Sequence, residues 1–156
     1  MVLELKDWRF EIDREATQEK TRKNATDHCC CAYCRNYYDT VSQTYPELKK
    51  LLECFGVEMN GPCELMPFEP TLFLACYPVQ GRILTWGYGE IQADGVRLQP
   101  EASDDSRFLL WVGEVQLPWL QPEREQDVVS PANLPEFLER MKETWQFRHG
   151  KVQILS

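Results

Sequence analysis

A chain of 156 residues, 43% hydrophobic and 27% charged, has the size and balance of one ordinary domain, which argues against disorder over the bulk of the chain and against two independent cores. The net charge of −8 repels phosphate backbones, so nucleic acid is excluded as the main partner. No apolar run approaches the ~20 residues of a membrane-spanning helix, and Glu4, Lys6 and Asp7 stand where a signal peptide needs an apolar centre. The expectation is a single cytoplasmic domain, 1–156, with no membrane partner.

Taken in chain order, Trp8, Phe10 and Ile12 alternate with Arg9, Glu11 and Asp13, the period of a half-buried strand. Residues 13–28 lack large apolar groups and read as a loop. The basic Lys20, Arg22 and Lys23 inside it follow Asp13, Glu15 and Glu19 and read as solvated. From about Cys30 the spacing becomes helical through Cys34, Tyr37 and Val41, with Asp27 as the expected N-cap. Pro46 opens a second helix with Leu48, Leu51, Leu52 and Phe55 as its apolar face and Gly56 as its stop.

The middle of the chain is β-rich. Asn60-Gly61 marks a turn, residues 71–77 form a central strand, and Gln80-Gly81 is expected to turn the chain into a further strand over 82–86. Gly87 and Gly89 indicate a bulge or tight bend. Asp94-Gly95 joins a hairpin between 90–93 and 96–99. A polar loop over 100–106 and a long strand over 107–117 follow. Leu134, Phe137, Leu138, Met141 and Trp145 then mark the stripe of a last helix, which Gly150 ends before a short strand over 152–155. This order predicts an α+β fold: an antiparallel sheet of about five to seven strands with two to three helices on one face.

Seven cysteines set the chemistry. Three are contiguous, Cys29-Cys30-Cys31, and Cys34 follows; neighbours in sequence cannot each reach a separate disulfide partner without strain, so reduced thiols are expected. Three roles stay open. Free cysteines serve as small apolar residues in cores. Zinc takes four sulfur or nitrogen ligands, often as two short-spaced pairs. Cys31 and Cys34 supply one pair, with Cys29, Cys30 or His28 as further ligands, and Cys54, Cys63 and Cys76 are too dispersed to form a clean second pair. A Cys31-x-x-Cys34 redox site requires a strand before its helix, and the polar stretch 13–28 offers none. Packing is the preferred role, with zinc binding and thiol redox chemistry as alternatives.

The segment Cys31-Ala-Tyr-Cys34-Arg35-Asn36-Tyr37-Tyr38, followed by Pro46, Leu48, Leu51, Leu52 and Gly56-Val57, resembles a CxYCRNYY-type motif of a family of small uncharacterised bacterial proteins. The resemblance covers a small part of the chain. It implies a bacterial cytosolic setting and carries no activity.

Other signals are weaker. Trp86-Gly-Tyr-Gly89 lacks the glycine count and the following helix of a phosphate loop. Glu101, Asp104 and Asp105 lack the ligand spacing of a calcium loop. The histidines are His28 and His149, and no Gly-x-Ser-x-Gly elbow is present; a nucleophile would have to be Cys31 or Cys34 with His28. The stretch from Leu117 to Pro122, with Trp119 at its centre, reads either as a partner-binding surface or as a cap on one end of the sheet. The sequence as a whole points to a non-catalytic binding or assembly module that meets a protein partner or a second copy of itself.

Overall fold

Burial follows the alternation of the first strand pattern: Trp8, Phe10 and Ile12 are buried while Arg9 and Glu11 are exposed. The structure is a computed structural model, and it describes residues 1–27, 29, 31–69 and 71–121. The expected C-terminal helix and strand, with His28, Cys30 and His149, lie outside the described residues. Among those described, the elements are β1 (Val2–Leu5), β2 (Trp8–Ile12), α1 (Arg14–Thr26), α2 (Ala32–Thr44), α3 (Pro46–Cys54), β3 (Glu64–Glu69), β4 (Leu72–Thr85), β5 (Ile91–Ala93), β6 (Val96–Asp104) and β7 (Arg107–Gln116). The strands form one antiparallel sheet ordered β1-β2-β4-β7-β6-β5, with β3 also paired to β4. The α+β architecture is as the sequence implies.

Helix α1 occupies the stretch expected to be a loop. Its polarity hides it, because only Thr17 and Thr21 are buried. Asp13 caps it, accepting from the Ala16 amide at 3.0 Å, a signal that the apolar pattern overshadowed. The two threonine hydroxyls donate to carbonyls one turn back, Thr17 to Asp13 at 2.8 Å and Thr21 to Thr17 at 2.9 Å. They also accept from the Gln80 and Glu58 amides at 2.9 and 3.0 Å. Hydrogen bonds to the sheet and to the following loop thus anchor α1 where an apolar stripe ordinarily would. Asp27 closes this helix instead of opening the next.

The expected turn at Gln80-Gly81 is the second difference. Strand β4 runs straight through it, pairing with β7 over Leu72–Gln80 and with β2 over Gly81–Thr85. Gly81 has φ 152°, and a Cβ there would lie 2.0 Å from the Glu11 carbonyl oxygen. The glycine admits the crossing strand rather than a reversal. The polar stretch 100–106 likewise continues β6 up to Asp104 before the chain turns. Asp94-Gly95 behaves as expected, with φ of 54° and 78° at the hairpin tip. The Asp94 carboxylate then accepts from the Glu47 and Leu48 amides at 2.8 and 3.0 Å, capping α3.

Side chains on alternate positions of the sheet separate into two clusters. The larger one joins Phe10, Tyr77, Val79, Phe108 and Leu110 to Tyr37, Val41, Leu48 and Leu52 of α2 and α3. The smaller one, Met66, Phe68, Leu74, Cys76 and Trp111, lies on the opposite face. In the larger core, Tyr37 and Tyr77 are fully buried. Their hydroxyls share a hydrogen bond, and Tyr77 donates onward to the Met59 carbonyl at 2.7 Å.

Burial pushes both phenols above their ordinary value of 10. A phenol whose folded value is raised contributes its stability below the unfolded value and loses it as pH rises through the folded one. Denaturant midpoints are therefore expected to hold up to about pH 9.5 and to fall by about pH 11, with Tyr37→Phe showing a smaller fall. Equal midpoints at the two pH values would refute this account.

Candidate metal centre

The turn between α1 and α2 gathers three thiols. Cys31 takes the N-cap position of α2 with extended backbone and makes no side-chain cap bond. Cys34 sits in the first turn of that helix. Cys29 is drawn back over the turn because the Cys31 amide donates to its sulfur at 3.4 Å. The sulfur atoms of Cys29, Cys31 and Cys34 all lie within 4.8 Å of one another. A tetrahedral zinc with Zn–S bonds of ~2.3 Å sets its sulfurs about 3.8 Å apart, so modest side-chain rotations would seat one. Cys29 and Cys31 are exposed and Cys34 is half-buried, which leaves the cluster open to an incoming ion.

The electrostatics divide the three. The hydrogen bond from the Cys31 amide, then the Cys31 thiol, holds the Cys29 thiol below its usual value, with a smaller contribution from the Arg35 charge. Burial pushes the Cys34 thiol up, and hydrogen bonding to Cys31 adds to this. Burial also raises the Tyr38 phenol one turn further on, with Cys34 as the next cause. A cation here would meet one thiol already inclined to ionise and one that is not. The N-terminus of α2, where these thiols lie, adds a favourable field for thiolates.

Helix α2 is held in place by the stretch that follows β7. Asn36, fully buried, donates to the Pro118 carbonyl at 2.9 Å and accepts from the Leu120 amide at 2.8 Å. Gln121 reaches both Arg35 at 3.4 Å and Asp39 at 2.9 Å. Leu117 is buried, and Trp119 meets Tyr33 edge-on with centroids 6.4 Å apart. This stretch packs along α2 and leaves Leu120 exposed.

Of the residues weighed as ligands, Cys29, Cys31 and Cys34 come together, and His28 and Cys30 lie outside the described residues. Cys54, Cys63 and Cys76 do not join the cluster. Among the described residues the element before Cys31 is helix α1, where a thioredoxin-like site would have a strand. At Trp86-Gly-Tyr-Gly89, the Tyr88 and Gly89 amides donate to the Asp7 carboxylate at 2.7 and 2.9 Å, so an internal acid takes the place a phosphate would need. Those bonds hold Asp7 below the usual carboxylate value. Asp104 accepts from the Ser106 amide and hydroxyl and serves the β6–β7 turn.

Fold and site together define an α+β domain with a three-thiol cluster at a helix start. The chain matches no protein-family model, no curated protein and no solved structure.

Proposed function

We propose that the domain is a non-catalytic metal-binding module in which Cys29, Cys31 and Cys34 hold a zinc ion as thiolates. The observation that carries this reading is the mutual approach of three sulfurs within 4.8 Å. Three thiols exceed the two that a redox pair needs, and the half-buried Cys34, whose thiol burial pushes up, suits a metal that drives ionisation better than a free nucleophile. Three ligands leave the fourth zinc position to a water, to a partner's side chain, or to His28 or Cys30, which neighbour the cluster in sequence. Binding releases thiol protons, so affinity rises with pH. The resemblance to small bacterial proteins supports a cytosolic setting. An assembly role, with a protein partner or a second copy, finds support in the exposure of Leu84, Trp86 and Tyr88 around a turn whose amides bond to Asp7.

Metal analysis of protein purified without chelators, then reconstituted with zinc and dialysed, tests the proposal. About one equivalent is expected, falling to background in Cys31→Ser/Cys34→Ser. Less than about a tenth of an equivalent in the unsubstituted chain removes the metal reading. Light scattering on the same samples reads assembly, and a monomer with and without zinc removes that part.

A further inference from the structure

A second pair of thiols lies well apart from the first in sequence. Cys63 immediately precedes β3, whose first residue, Glu64, pairs with Cys76 of β4. The Cys63 amide donates to the Cys76 carbonyl at 2.8 Å, and the Cys63 thiol reaches the same carbonyl at 3.3 Å. The two thiols also hydrogen-bond one another. The ladder sets Cys76 opposite Glu64, the residue after Cys63, and the bond from the Cys63 amide to the Cys76 carbonyl holds the two backbones in direct contact, as the short α-carbon separation of a disulfide, ~4.4–6.8 Å, requires.

The environments of the two are opposite. Cys63 is exposed, whereas Cys76 is fully buried beside Met66, Phe68, Leu74 and Trp111. The hydrogen bond from Cys76 lowers the Cys63 thiol below its usual value and outweighs the opposing burial; Glu64 opposes it too, and Arg107 assists. An accessible, activated thiol beside a shielded one is the arrangement in which the first is oxidised and the second resolves it.

We propose that Cys63 and Cys76 are a redox-active pair that hydroperoxides oxidise to an intramolecular disulfide, with Cys63 as the attacking thiol and Cys76 as the resolving one. The Cys63 thiolate attacks one peroxide oxygen, forming an S–O bond as the O–O bond breaks. The departing alkoxide or hydroxide takes a proton from solvent, and Cys63 becomes a sulfenic acid. Cys76, giving its proton to solvent, then attacks the Cys63 sulfur, and the S–O bond breaks with hydroxide leaving as water. Two thiols lose two electrons, and the peroxide is reduced to an alcohol and water. The disulfide ties the lead-in of β3 to β4. This inference is independent of metal binding at Cys29, Cys31 and Cys34.

The test treats the folded full chain with stoichiometric hydrogen peroxide, alkylates the remaining thiols and maps disulfides by mass spectrometry. A Cys63–Cys76 cross-linked peptide is expected as the main product, and its complete loss in Cys63→Ser, with Cys76 recovered as alkylated thiol. Because Cys63 is exposed, that variant leaves the core intact. In Cys76→Ser, a sulfenic-acid trap should label Cys63. Recovery of both residues as alkylated thiols from the treated, unsubstituted chain overturns the proposal, as does a disulfide map in which Cys63 pairs with any other cysteine.

Discussion

Replacing Phe10 with alanine is expected to lower the unfolding free energy by about 3–5 kcal/mol. Phe10 is fully buried at the point where the sheet meets the helices. Its ring lies 5.1 Å from Phe55, 5.3 Å from Phe108 and 5.9 Å from Trp8, centroid to centroid. Truncation removes the transfer free energy of the ring and leaves a cavity bounded by three other rings, which cannot all shift to fill it. A domain of this size has about 5–15 kcal/mol in total, so the variant sits near the edge of folding. Phe10→Leu retains most of the volume and should cost about 1–2 kcal/mol. Urea denaturation measures both. A loss below about 1 kcal/mol for the alanine variant would mean that this aromatic centre is not where the stability resides.

Some of this organisation was legible in residue patterns and some was not, for identifiable reasons. Strand β2 and helix α3 declare themselves because burial decides their sequence: every second residue in one, and Leu48 and Leu52 in the other. Helix α1 does not, because its buried contacts are threonine hydroxyls, and no hydrophobic period registers a hydrogen bond. Gly81 was misleading in a different way. A glycine that lets a neighbouring backbone approach and a glycine that lets the chain reverse are the same letter. The length of β4 was therefore hidden.

The cysteines divide along the same line. Cys31 and Cys34 were paired on the logic of helical spacing, yet Cys31 stands at the cap, just outside the helix. What gathers the set is the bend of the chain that brings the Cys29 sulfur to the Cys31 amide. Only backbone geometry contains that information. The approach of Cys63 to Cys76 depends on a strand pairing thirteen residues apart, which no local pattern records. Spacing names the thiols that a helix would align, and the fold adds those that loops and ladders bring together.

Asn36→Ala is the other substitution expected to have a large effect, about 2–4 kcal/mol, because it strands two backbone groups at once. The Asn36 amide group holds the Pro118 carbonyl, and its oxygen holds the Leu120 amide. Without it, nothing else in that contact replaces either bond, and the seat of Trp119 on Tyr33 loosens. Asn36→Asp separates the two contributions: it still accepts from Leu120 but sets a carboxylate against a carbonyl, so it should be no more stable than the alanine variant. The consequence reaches the metal centre, since Asn36 lies two residues beyond Cys34 on the same helix. If the clamp on α2 positions Cys34 against Cys29 and Cys31, zinc affinity in the folded variant should fall roughly tenfold, the loss typical of removing a supporting contact around a metal site. Competition with a chromophoric chelator, under conditions where denaturation curves show the variant folded, measures it. Unchanged affinity would mean that the bend through residues 29–34 assembles the thiols by itself, and that the strap serves the core alone.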